Sequence, residues 1–258
     1  MSCHVVIPAR YQSHRLPGKP LADICGEPMI VRTAQQARLA EPLDVIVATD
    51  DVRVMEVVAD AGIEVMLTDP DHASGSDRVM EVAETRGWPD DAIVINPQGD
   101  EPLIPPAVIR QVGGMLESDP SMGVATLCEP IRDRRTVFDP NVVKVVTGPD
   151  GRALYFSRAP IPYARGHFSN SELESQALPP GGQWWRHIGI YGFRLALLRR
   201  FVGLPVARLE KLEALEQLRM LEHGITIHVD KAREPVPGGV DTAEDLDRMR
   251  RIVGASTS

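Results

Sequence analysis

Residues 5–30, VVIPARYQSHRLPGKPLADICGEPMI, decide how the rest of the chain is read. The apolar run that opens them, residues 3–9, predicts a buried first strand. It leads into a loop that carries Arg10, Arg15 and Lys19 and is punctuated by Pro17, Gly18 and Pro20. Open α/β sheets bind ligands beyond the carboxyl ends of their strands, which is where this loop falls. Fixed cations and free backbone N–H groups in such a place suit a polyphosphate, because both favour dense negative charge. The alternative is a basic loop that is only solvated.

Working outward, residues 27–40 have helical character with Pro28 in the first turn, and residues 44–49 form a second buried strand ending at Asp50 and Asp51. Residues 52–61 predict a helix closed by Gly62, and residues 63–67 a third strand. A small-residue loop, 68–79, then places Ser74, Gly75 and Ser76 before a helix whose first turn holds Arg78. It is either a capping loop or a ligand wall. A fourth strand, 92–96, runs into PQGDEPLIPP, which sets Gln98, Asp100 and Glu101 just past the strand end. A carboxylate there suits Mg²⁺, which takes one or two protein carboxylates and leaves its other positions to phosphates and water; an acidic turn is the alternative. This alternation predicts an α/β fold with a doubly wound, mostly parallel sheet. The absence of G-x-G-x-x-G after the first strand argues against a dinucleotide site.

The second half breaks the alternation. Strands are expected at 123–127, 142–146 and 153–156, separated by turn residues. Residues 157–185 show no periodicity and are rich in Pro and Gly, as lids, binding loops and oligomer contacts are. A strand at 187–193 is followed by a helix from Arg194. The segment 207–224, ARLEKLEALEQLRMLEHG, reads as one helix ending at Gly224, with its leucines supplying core contacts. Glu210, Glu213 and Gln217 would then share one face, which by default is a solvated polar one. A last strand at 225–229 precedes a terminal helix, 242–253, with Asp241 and Thr242 at its capped start and a frayed GASTS tail.

The 258 residues are 43% hydrophobic and 25% charged, an ordinary globular composition. A net charge of −8 argues against nucleic-acid or anionic-membrane partners and makes one basic loop more telling. Cys3, Cys25 and Cys128 form no metal or disulfide pattern and read as reduced structural thiols. No apolar run approaches a membrane span and no leader pattern opens the chain, so a cytoplasmic protein is expected.

Taken together, IPARYQSHRLPGKPL, VATDD, DHASGSDR, NPQGDEPLIPP, NVVKVV, ALYFSRAPIPYAR, HIGIYGFR, LEALEQLRMLEHG and GVDTAEDL resemble the nucleotide-sugar cytidylyltransferases, in particular their 3-deoxy-D-manno-octulosonate (KDO) branch. The resemblance covers nearly the whole chain in order. It implies a glycosyltransferase-A type sheet, with a nucleotide-binding half at 1–130 and a sugar-binding half at 131–258 within one domain. It also implies a homodimer whose contacts involve an excursion at about 155–190. The implied reaction joins CMP from CTP to KDO with Mg²⁺, releasing pyrophosphate for lipopolysaccharide synthesis; 8-amino-KDO and sialic acid are the alternative acceptors of such enzymes. The resemblance places Arg10, Ser13, Arg15 and Lys19 on the triphosphate, Ser74, Gly75 and Arg78 on the cytidine side, and Gln98 between the substrates. Arg15, Lys19, Asp100 and Asp241 would carry the chemistry, with Asp100 and Asp241 holding Mg²⁺. Arg158, His187, Tyr191, Glu210 and Gln217 would meet KDO. His14 departs from the pattern, where a small hydroxyl residue is usual.

Overall fold

The structure, a computed structural model, describes residues 1–13, 15–168 and 177–256. Its elements in chain order are β1 (Cys3–Ala9), β2 (Asp23–Ile24), β3 (Glu27–Pro28), α1 (Met29–Arg38), β4 (Asp44–Thr49), α2 (Val52–Asp60), β5 (Glu64–Leu67), α3 (Gly75–Thr85), β6 (Ile93–Asn96) and α4 (Pro106–Ser118). There follow β7 (Val124–Pro130), α5 (Arg134–Phe138), β8 (Lys144–Thr147), β9 (Ala153–Ser157), β10 (Trp185–Arg194), α6 (Leu195–Val202), α7 (Arg208–Glu213), α8 (Gln217–Glu222), β11 (His228–Lys231) and α9 (Ala243–Ser256).

The main sheet runs β11-β7-β10-β6-β1-β4-β5, with β8 paired to β10 and β9 to β8. β6, β1, β4 and β5 are mutually parallel, as the alternating first half predicts, and β10 enters between β6 and β7 antiparallel to both. Side chains of β1 and β4 alternate between two cores. Cys3, Val5, Ile7, Val45 and Val47 pack with α1, α2 and α4, while Val6, Ile46 and Ala48 pack with α3, α6 and α8. A strand buried on both faces reads as a continuous apolar run, which is why β1 and β4 were legible.

A third cluster fixes the far end of the chain. Leu246, Met249 and Val253 of α9 pack with Val240 on Ile24 of β2 and Met29 of α1. The terminal helix is thereby docked beside the loop that follows β1.

Several local expectations are corrected. Pro28 is not in the helix: it closes a small β2–β3 hairpin through Cys25 and Gly26, both at positive φ (53° and 85°), the backbone that tight hairpin turns require. Cys25 is therefore exposed, unlike the buried Cys3 and Cys128. The GASTS segment is not frayed at its start, since α9 continues through Ser256; Thr257 and Ser258 lie outside the described residues. The largest correction is that 207–224 is two helices, not one. Ala214 adopts a left-handed conformation (φ 50°, ψ 51°) between α7 and α8, which resets the helical phase. Leu212 is consequently 71% exposed, whereas Leu215 and Leu218 are buried. The 155–190 excursion keeps irregular structure between β9 and β10, and residues 169–176 of it lie outside the described residues.

Candidate active site

A cavity of about 510 Å³ opens where the loops after β1, β5 and β6 converge. Arg10, Ser13, Arg15 and Lys19 line one side, Ser74 and Gly75 another, and Gln98 and Asp100 the floor. Local sequence explains this shape. Gly18 takes a left-handed φ of 68° and starts the single 3₁₀ turn on which Lys19 sits, and the Tyr11 ring lies where a side chain at 18 would go. Gly99 lets the loop after β6 lie on the end of β1, since a Cβ there would come within 2.8 Å of the Pro8 carbonyl oxygen. Ser74 has a double part. Its hydroxyl accepts from the Asp77 N–H at 3.2 Å while Asp77 Oδ2 accepts from the Ser74 N–H at 2.8 Å, a capping box that aims the start of α3 at the cavity it lines. The residue thus caps α3 and lines the cavity at once.

Asp241 joins this wall from the other end of the chain. The docking of α9 carries it there, and the Val240 N–H donates to the Asp100 carbonyl oxygen at 2.9 Å. Thr242 and Asp245 cap the helix start, with Asp245 Oδ2 accepting from the Asp241 N–H at 3.2 Å, which leaves the Asp241 carboxylate to the cavity. Lys19 Nζ donates to Asp100 Oδ2 at 2.5 Å and to Asp241 Oδ1 at 2.9 Å, and Arg15 pairs with Asp241 at 2.9 Å. Burial alone would lower the Lys19 pKa, but the Asp100 and Asp241 carboxylates outweigh it and hold the ammonium above its ordinary value. Two carboxylates that converge on one cation at a cavity lined by Arg10, Arg15 and Lys19 form a hard oxygen donor pair. Such a donor set fits Mg²⁺, whose remaining positions other oxygens and water would fill. Glu101, the neighbouring acid, faces inward instead. Burial, then the charge of Asp100, pushes its carboxyl up to about 8, and its Oε2 has no hydrogen-bond partner among the described residues.

A second cavity of about 370 Å³ adjoins the first, and Gln98 lines both. β10 supplies His187 and Tyr191, with a bulge between Ile188 and Tyr191 in the pairing to β7. The Thr126 hydroxyl lies 2.7 Å from the Ile190 carbonyl oxygen, 3.1 Å from that of Ile188 and 3.0 Å from His187 Nε2. Its single proton goes to a carbonyl, so His187 donates from Nε2 and keeps Nδ1 as an acceptor. Burial and then the neighbouring Arg186 charge depress the His187 pKa to about 3, and the ring is neutral. Arg158 and Gln217 complete the set, with Glu216 beside Gln217. Asn96 Oδ1, Tyr191 Oη and Glu216 Oε1 are buried in this wall without a hydrogen-bond partner among the described residues. Each such atom costs about 1–3 kcal/mol if nothing satisfies it, so this wall offers hydrogen-bonding capacity to water or to a polar group that enters the cavity.

A cytidylyltransferase family model matches residues 4–227. The chain belongs to the cytidylyltransferase family. Two curated relatives agree at the level of the whole chain. A 3-deoxy-manno-octulosonate cytidylyltransferase of Alcanivorax borkumensis is 52% identical over 98% of this chain and 99% of that protein. One of the same name from Hahella chejuensis is 49% identical over 98% of each. Among solved structures, that of CMP:2-keto-3-deoxy-manno-octonic acid synthetase complexed with CTP superposes with a TM-score of 0.88 at 40% identity, over 99% of this chain and 100% of that one.

Most residues expected from sequence gather in this cytidylyltransferase's two cavities, and two do not. Arg78 is fully buried behind the first wall, donating to the Thr68 hydroxyl and, at 3.1 Å, to Asp50 Oδ2, while Asp50 Oδ1 accepts from the Tyr11 N–H at 3.2 Å. It braces the loop after β1 and does not line the cavity. Glu210 is likewise outside the second cavity: its carboxylate is held by Arg219 at 2.6 and 2.8 Å and by the Ala207 N–H at 3.0 Å. Glu213 is turned to Ser157 and the Arg158 N–H, at 2.6 and 2.9 Å. The break at Ala214 is the reason that these residues and Gln217 share no face. Sequence reasoning missed Glu216, which the break delivers to the cavity, and Asn96. Ser76, read with Ser74 and Gly75 before α3, lines this second cavity rather than the first. Spacing held one signal: five leucines at successive i+3 positions drift by about 60° per step, too wide a spread for one helix to bury. His14 lies outside the described residues.

Proposed function

We propose that this cytidylyltransferase transfers CMP from CTP to the anomeric 2-hydroxyl of KDO, giving CMP-KDO and pyrophosphate for lipopolysaccharide synthesis. The observation that carries the reading is the junction of the two cavities at Gln98. One is cationic with paired carboxylates, and the other is lined by unpartnered hydrogen-bonding groups. Arg10, Ser13, Arg15 and Lys19 bind the triphosphate, and Ser74 and Gly75 bound its nucleoside side. Arg158, His187, Tyr191 and Gln217, with Glu216 added, hold the sugar acid and turn its hydroxyl toward Gln98. Binding both substrates across one junction supplies alignment for in-line displacement at the α-phosphorus, which is the main protein contribution to phosphoryl-type transfer. Arg15 and Lys19 stabilise the charge that gathers on departing pyrophosphate. Asp100 and Asp241 would hold Mg²⁺, whose chemistry when bound is to polarise the phosphate oxygens. Among the described residues no helix is long and apolar enough to cross a membrane. A cytoplasmic homodimer, with contacts from the excursion at about 155–190, completes the reading.

The test is pyrophosphate release with each nucleoside triphosphate, with and without KDO. Release that requires CTP and KDO together supports the reading. Release with CTP only when 8-amino-KDO or a sialic acid is supplied would replace the acceptor.

A further inference from the structure

Lys144, at the head of β8, is fully buried, and no carboxylate forms a hydrogen bond or ion pair with it among the described residues. Its ammonium donates to three backbone carbonyls, those of Asp139 (2.8 Å), Val142 (2.6 Å) and Arg158 (2.6 Å). An ammonium taken out of water is costly unless every donor is met, and a chain that needed only volume here could place Met or Leu at no such cost. The three carbonyls belong to the turn after α5, the approach to β8 and the end of β9.

Each of these segments leads into the second cavity. Val143, next to Lys144, lines it, and its carbonyl accepts from the His187 N–H at 2.8 Å. Arg158 lines it as well, and its guanidinium reaches the break between α7 and α8, with Nε donating to the Glu213 carbonyl at 2.7 Å and another nitrogen to that of Ala214 at 3.3 Å. That break is what brings Glu216 and Gln217 to the wall. None of the three carbonyl owners of Lys144 that the ammonium binds lines the first cavity.

We infer that Lys144 is a positioning residue for the acceptor: its ammonium clamps the segments that carry His187, Arg158 and the α7–α8 break, and so sets the affinity for the sugar acid without touching it. The inference rests on the proposed acceptor reading of this cavity. It goes beyond it by assigning a residue outside the cavity to acceptor binding.

The experiment is steady-state pyrophosphate release by the full chain, comparing wild type with Lys144→Met, which keeps the length and loses all three donors, and Lys144→Gln, which keeps two. KM for KDO is expected to rise on the order of tenfold in Lys144→Met and less in Lys144→Gln, while KM for CTP stays within about twofold and kcat falls less than the affinity does. A comparably destabilising substitution on the other face, Val58→Ala, should move neither KM. Unchanged KM for KDO in a folded variant, or equal rises in both KM values, overturns the inference. So does failure of both variants to fold, which assigns Lys144 to stability alone. If wild type itself does not turn over with KDO, it is the acceptor reading that fails, a result separable from any of these.

Discussion

The cationic cavity and the second cavity share Gln98 yet are built in opposite ways. The first is assembled mostly from short loops at the carboxyl ends of parallel strands, each carrying its functional residues within a few positions of a strand end. The second is assembled across the antiparallel strand β10, the end of β9 and a helix broken by one left-handed alanine. Local chemistry sets the first and tertiary packing the second. The difference suggests that substitutions should divide cleanly: those in the first cavity should alter metal and triphosphate handling, and those in the second should alter the acceptor alone.

The largest expected effect is in the first cavity. Asp100→Asn keeps the shape and removes the charge, and should lower kcat on the order of a thousandfold with thermal stability little changed; chelation of Mg²⁺ should abolish wild-type release in the same assay. Lys19→Met would remove the proposed phosphate contact and leave Asp100 without its cation, with Asp241 keeping only the exposed Arg15. A loss of about a hundredfold in kcat/KM is expected, and a loss below about threefold would break the assignment.

In the second cavity, Tyr191→Phe and Glu216→Gln should each raise KM for KDO about tenfold and leave KM for CTP in place. The reason is that Tyr191 Oη and Glu216 Oε1 line the proposed acceptor cavity without a hydrogen-bond partner among the described residues, Glu216 being held there by the Ser76 hydroxyl on its other oxygen. Glu210→Gln, by contrast, should act through its Arg219 pair on stability rather than on KM, which sharpens the choice between Glu216 and Glu210.

The pH dependence comes from His187. Its folded pKa of about 3 lies below the ordinary 6.5, so between those values the unfolded chain binds a proton that the folded chain does not. The His187 contribution to stability should therefore be lost as pH drops from about 6.5 toward 3. Between about 6.5 and 4.5 it is offset by Glu101, whose raised carboxyl holds a proton in the fold that the unfolded chain releases. The difference in stability between wild type and His187→Gln across that range isolates the His187 part. The same neutrality predicts no step in KM for KDO near pH 6.5. Smallest of all, Ala214→Gly should stabilise the fold by about 0.5–1 kcal/mol, because glycine accepts the left-handed backbone that alanine resists.

What sequence could and could not reveal follows the same division. Asp100 was legible because a carboxylate just past a buried strand, between Gly and Pro, has a local signature. Asp241 read only as a helix cap, since its approach to Asp100 depends on α9 packing against Ile24 and Met29, more than two hundred positions earlier. The metal role proposed for it came from the family resemblance. Glu210 also came from the family resemblance, and reading 207–224 as one continuous helix, with 210 and 217 on one face, gave no reason to consider Glu216; no Gly or Pro announces the break. The leucine drift and the carbonyls capped by Arg158 account for it only once the packing is visible. Lys144 was visible within NVVKVV but carried no local chemistry; its meaning lies in three carbonyls contributed by separate turns.

The most direct test of the two-cavity account is a paired kinetic measurement on Arg10→Ala and Tyr191→Phe, each titrated in CTP at saturating KDO and in KDO at saturating CTP. The account predicts opposite splits: KM for CTP rises in Arg10→Ala with KM for KDO unchanged, and the reverse holds in Tyr191→Phe. Both variants moving the same KM, or Tyr191→Phe moving that for CTP, would contradict it.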